Sequence, residues 1–140
     1  MMKKSISVIA VLMLCYCCRP VFAMGHLVRV TKDTQAKEGL QYTLTAELVN
    51  EKVVLVQIEV PNAGKLKELR SVSMTIGLGN GSPELHAQLH TWPGKNGSVV
   101  ASFQLSSELA KRCSVDLQDS STPTYVVYAV ELKGYVTERK

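Results

Sequence analysis

Apolar and polar residues alternate with a period of two over much of the chain after residue 39, the spacing expected of strands with one buried face. From Leu40 to Val49, the residues Leu40, Tyr42, Leu44, Ala46 and Leu48 share one face, and Gln41, Thr43, Thr45 and Glu47 share the other. After Asn50-Glu51-Lys52, the run Val53 to Val60 keeps Val54, Val56, Ile58 and Val60 together. Two such runs across so short a polar connection predict an antiparallel hairpin. Pro61 ends the second run because it has no N–H to give a ladder. Lys65 to Arg70 reads as a charged connector with room for one helical turn.

Ser71 to Leu78 alternates again with Val72, Met74, Ile76 and Leu78 inward, and Ser98 to Leu105 does so with Val99, Ala101, Phe103 and Leu105. Thr124 to Val136 places Val126, Tyr128, Val130 and Leu132 together, and its other face begins with Tyr125, Val127 and Ala129, which predicts a central strand. Ser106 to Arg112 is the best helix candidate: a serine cap precedes Glu108, Leu109 and Ala110, and Lys111 and Arg112 fill the last turn, where the helix dipole favours cations. Roughly seven or eight strands separated by Gly, Pro, Asn and Ser clusters predict an all-β fold. The expected architecture is an immunoglobulin-like antiparallel β-sandwich with one short helical turn, residues 24–140 forming a single domain. The Cys…Trp…Cys core of true immunoglobulin domains is absent, so this expectation concerns architecture alone.

Within Pro83 to Trp92 (PELHAQLHTW) stand two of the three histidines and the only tryptophan. On a helix, His86 and His90 would lie one turn apart and could share a zinc ion, and Ser82, Pro83, Leu85, Leu89 and Trp92 suit a helix. On a strand, residues four apart stand about 13 Å from each other, and no single ion bridges that distance. The neighbouring strands favour the extended form, paired as a hairpin with Ser98 to Leu105 across Pro93 to Gly97. Leu85, Ala87 and Leu89 then face inward, and His86, Gln88, His90 and Trp92 form an outward row able to hold a peptide, a sugar or another subunit. Even the helical form lacks a third ligand, since Ala87 occupies the place of the glutamate in the helical zinc-protease motif. Neither a metal nor another cofactor is implied.

The start of the chain changes the global picture. Lys3 and Lys4 precede an uncharged run from Ile6 to Cys18, followed by Arg19-Pro20 and Val21-Phe22-Ala23, the pattern of a secretory signal peptide cut after Ala23. The run is shorter than the roughly 18 residues of a membrane span. The leader carries Lys3, Lys4 and Arg19 and no acidic residue, so its loss takes the formal charge from +4 to +1 and removes the case for nucleic-acid binding. Cys15, Cys17 and Cys18 leave with it, and Cys113 remains as a lone thiol in the apolar frame Cys113, Val115, Leu117, which predicts burial. Small residues ahead of the leader cysteines, as lipidation needs, are missing.

Other chemistry is thin. Gly77 to Gly81 lacks the dinucleotide-binding spacing, and no serine stands in a Gly-x-Ser-x-Gly elbow. Asn80-Gly81-Ser82 and Asn96-Gly97-Ser98 match the glycosylation pattern but read first as turns. The sequence therefore suggests a secreted or periplasmic, non-catalytic binding or assembly module with a protein or glycan partner. A small hydrolase using zinc or the Cys113 thiol, and a self-assembling subunit of the cell envelope, are the alternatives.

Overall fold

The computed structural model describes residues 26–77, 83–120 and 125–138. The expected leader with its cleavage point, Leu78, the glycine turn 79–82 and the loop residues 121–123 lie outside the described residues. Ten strands are described: β1 (His26–Val30), β2 (Thr43–Asn50), β3 (Val53–Val60), β4 (Leu69–Ile76), β5 (Leu85–Gln88), β6 (Thr91–Pro93), β7 (Val99–Ser106), β8 (Cys113–Asp119), β9 (Val126–Glu131) and β10 (Val136–Glu138). They form two five-stranded sheets, ordered β1-β9-β8-β4-β5 and β10-β2-β3-β7-β6. Inward side chains of both sheets, among them Val30, Val54, Ile58, Val72, Val115, Leu117 and Val130, belong to one buried cluster, so the arrangement is sandwich-like.

The alternation resolves as expected where strands are consecutive. β2 and β3 pair as the antiparallel hairpin, and Val54, Val56, Ile58 and Val60 are all buried. The helix α1 (Ser107–Ala110) is a single turn capped by Ser106, whose hydroxyl accepts from the Leu109 N–H at 3.3 Å. The connector after Pro61 holds one 3-10 turn, Gly64–Leu66, with Leu66 turned into the core.

Three expectations are corrected. The sheets are mixed, not purely antiparallel: β1 runs parallel to β9, and β10 runs parallel to β2. Antiparallel pairing is imposed by a tight turn between sequence neighbours, and neither pair is joined by one. The run Thr124 to Val136 is not one strand: β9 ends at Glu131, a 3-10 turn at Leu132–Gly134 redirects the chain, and β10 joins the opposite sheet. The turn keeps Leu132 and Tyr135 buried while letting the strand change sheets. β9 itself does lie between two neighbours, β1 and β8.

The stretch Leu85 to Trp92 also divides. β5 pairs with β4 in one sheet, the Leu89 N–H extends that ladder to the Val72 carbonyl at 2.9 Å, and β6 then pairs with β7 in the other sheet. Leu85, expected inward, is 48 % exposed at the start of the edge strand β5, whereas Ala87 and Leu89 pack against the core.

Candidate functional site

The outer face of the first sheet holds the most structured polar chemistry among the described residues. β4 turns Val72, Met74 and Ile76 into the core, so Ser71, Ser73 and Thr75 point the other way. β8 does the same with Val115 and Leu117 inward and Ser114, Asp116 and Gln118 outward. Register sets Thr75 between His86 and Ser114, and Ser73 between Gln88 and Asp116. Short side chains on β4 thus run between longer ones on β5 and β8. The result is a groove of about 280 Å³ lined by Ser71, Ser73, His86, Gln88, Asp116 and Gln118, with Tyr125 and Val127 at its far wall and Thr75 and Ser114 buried beneath it.

The floor of the groove is desolvated. Thr75 is 2 % exposed and Asp116 only 6 %, although both face away from the core. The Asp116 carboxylate is held at both oxygens: Ser114 Oγ donates to Oδ1 at 2.8 Å, and Thr75 Oγ1 donates to Oδ2. His86 Nδ1 lies 2.8 Å from Thr75 Oγ1 but 3.9 Å from Asp116 Oδ2, so the hydroxyl stands between imidazole and carboxylate. A hydroxyl has one proton, and that of Thr75 goes to Asp116; Nδ1 must therefore carry the imidazole proton and donate it to Thr75. Whenever the imidazole is uncharged, Nε2 is then left as an acceptor. Burial raises the Asp116 carboxyl above its ordinary value, and the Thr75 and Ser114 bonds and the His86 charge oppose that rise.

The walls add directed groups of both kinds. Ser71 donates to Gln118 Oε1 at 3.0 Å, which points the Gln118 amide N–H groups elsewhere. Arg70 Nη1 donates to the Tyr125 hydroxyl at 2.8 Å with its guanidinium carbon 5.2 Å from the ring centroid, so the Tyr125 O–H proton remains available to donate. The groove therefore offers amide and phenol donors, an imidazole acceptor, a carboxylate and one accessible aromatic ring. Such a set suits a ligand rich in hydroxyls.

Of the four residues expected in one row, the structure brings His86 and Gln88 to this groove. Trp92 belongs to the other sheet, opposite Val100, and is 41 % exposed, with its ring 6.4 Å from that of His90. An extended chain separates His86 from His90, and no group of three or more His, Cys, Asp or Glu gathers to hold a metal among the described residues. Sequence reading overlooked Thr75, Ser114 and Asp116. A signal was present: Asp116 is the one carboxylate inside the apolar frame of Val115 and Leu117, on the face opposite the core.

Cys113 is buried at 3 % exposure, as its alternating frame predicts, and desolvation with the nearby Asp116 charge pushes its thiol up to about 12. A thiol so placed is poorly nucleophilic. Asn96 sits in an exposed turn at φ 54°, and Ser98, the third residue of that glycosylation pattern, donates to Glu59 at 2.6 Å. No family model matches the chain, and no curated protein matches it.

Proposed function

We propose that the protein is an exported, non-catalytic β-sandwich binding module, secreted or periplasmic after cleavage behind Ala23, whose ligand seats in the groove between β5 and β9. The observation that carries this reading is the desolvated Asp116 on an outer sheet face, held by Ser114 and Thr75 beneath His86. Outward positions of a sandwich are normally wet, and a polar floor withdrawn from water costs stability that an apolar floor would not. A prearranged binding surface accounts for that cost. A glycan fits the paired donors and acceptors better than an apolar molecule, because Val127 and Tyr125 are the only lining residues without a hydroxyl, amide, imidazole or carboxylate as the main feature of the side chain.

The strand order supports an immunoglobulin-like architecture: β2-β3-β7-β6 faces β9-β8-β4-β5, the wiring of an A-B-E-D sheet opposite a G-F-C-C′ sheet, with β1 and β10 as added parallel strands. The buried, proton-retaining Cys113 favours binding over thiol hydrolysis. The discriminating experiment is a glycan array probed with wild type, His86→Ala/Gln88→Ala and Trp92→Ala. Loss of signal in the double variant with retention in Trp92→Ala is expected. Retention in the double variant and loss in Trp92→Ala would move the site to the second sheet and discard the groove.

A further inference from the structure

Beside the groove, where β8 begins, a second concavity of about 150 Å³ is lined by Arg29, Lys111, Arg112 and Lys133 together with Ser114 and Glu131. Four cationic side chains from β1, the α1–β8 turn and the turn after β9 meet one carboxylate there. The chain without its leader carries a formal charge of only +1, so this is a local concentration and not a reflection of overall charge. The two concavities adjoin. Ser114 lines the basic one and donates its hydroxyl to Asp116 in the groove, and one two-residue step along β8 separates them, about 7 Å.

The pairs that Lys111 and Arg112 make are loose. Lys111 meets Glu108 at 3.1 Å and Arg112 meets Glu84, and all four side chains are about half exposed or more. Exposed pairs of this kind are screened and contribute little, so they yield readily to a better-placed anion. Asp116, one two-residue step along β8 from the basic concavity, repels an acidic group from the groove and leaves the groove to hydroxyls. The face is therefore polarised along β8.

We infer that the ligand is an acidic glycan, its hydroxyls seated over Ser73, Gln88 and Gln118 and a carboxylate or sulfate group held by Lys111 and Lys133. This rests on the groove being the binding site. The test uses the full chain as processed by an exporting cell, titrated by calorimetry with polygalacturonate, dextran sulfate and neutral dextran. Wild type should bind at least one charged polymer more tightly than the neutral one, and which polymer wins identifies the acid group. Lys111→Gln/Lys133→Gln should weaken that binding about ten-fold, while Lys52→Gln/Lys95→Gln, which alters lysines absent from both concavities, should not. Equal binding of charged and neutral polymers would overturn the inference and leave the groove reading intact. Equal loss in both double variants would mean non-specific attraction and also overturn it. Binding to none of the three, with no glycan recognised on the array, would sink both.

Discussion

Replacing Thr75 by valine isolates the chemistry of the groove floor. The two side chains have nearly the same shape, both are β-branched and suited to a strand, and Thr75 is buried on β4, so the exchange opens no cavity. What disappears is the hydroxyl that donates to Asp116 Oδ2 and receives the His86 Nδ1 proton. His86 cannot take over directly, since its Nδ1 stands 3.9 Å from that oxygen. A buried carboxylate losing one of its two donors costs about 1.5–3 kcal/mol, and a domain of this size loses roughly 3–6 °C of melting temperature per kcal/mol. Thr75→Val is thus expected to melt about 5–18 °C below wild type at neutral pH. Thr75→Ser keeps the hydroxyl and sheds one methyl, so it should lose only about 1 kcal/mol.

The pH dependence separates this cause from packing. The Thr75 bond favours the ionised form of Asp116 and lowers a carboxyl that burial raises; without it the carboxyl rises further. The stability gap between wild type and Thr75→Val should therefore be widest where Asp116 is ionised and should narrow as acid protonates it. Thermal unfolding followed by circular dichroism at neutral and acid pH measures both. A variant as stable as wild type at neutral pH, or a gap that stays constant into acid, would refute the proposed role of the hydroxyl.

Three further outcomes follow from the same structure. Burial raises the Asp116 carboxyl above its ordinary 3.8, so the native state holds that proton more tightly than the unfolded chain, and stability falls as pH rises from that value through the higher native one; Asp116→Asn should remove this fall, and a melting temperature with the same pH slope as wild type would contradict it. Tyr42 donates to the Tyr135 hydroxyl at 2.8 Å and Tyr135 donates to Gln35 Oε1 at 3.2 Å. Tyr135→Phe should therefore cost about 1–3 kcal/mol in urea unfolding, and Tyr42→Phe/Tyr135→Phe should cost less than the sum of the two singles; strict additivity would mean the hydroxyls are not coupled. Cys113, buried and with its thiol pushed up to about 12, should resist iodoacetamide in the native state and react on unfolding, whereas rapid native labelling would reopen the thiol chemistry.

The fold was legible wherever burial was one-sided. In β2, β3, β4 and β8, alternate residues meet the core and the others meet water or the groove, so period two appears directly in the sequence. It failed where the chain changes sheets. Leu85 to Trp92 keeps its alternation while β5 and β6 pair with different partners, because alternation records which side of a strand is apolar and not which strand lies alongside. Tyr125 to Val136 reads as one apolar run for the same reason, and Lys133-Gly134 was the only hint of the turn inside it. Parallel pairing of β1 and β10 is a long-range choice without a local signature. Only one wall of the groove was visible: His86 and Gln88 were found by their composition beside Trp92, but Thr75 and Asp116 become a unit only through the β4–β8 register.

The two outer faces differ in a way that bears on the proposed binding. On the second sheet, Thr43, Thr45 and Glu47 line a concavity of about 310 Å³ but are themselves exposed, as is Gln57, whereas on the first sheet Ser73, Thr75, Ser114 and Asp116 are withdrawn from water. The edges offer little ladder: β1 has five residues, β5 four, and β6 and β10 three each, with Pro93 in β6 unable to donate. Strand addition draws its affinity from a run of main-chain hydrogen bonds, and these edges supply few. The free energy available for contact is concentrated where polar side chains are already desolvated and oriented, because a ligand there meets groups whose ordering was completed on folding. A face-on ligand over β4 and β8, and not a partner strand at an edge, is what this distribution of water favours.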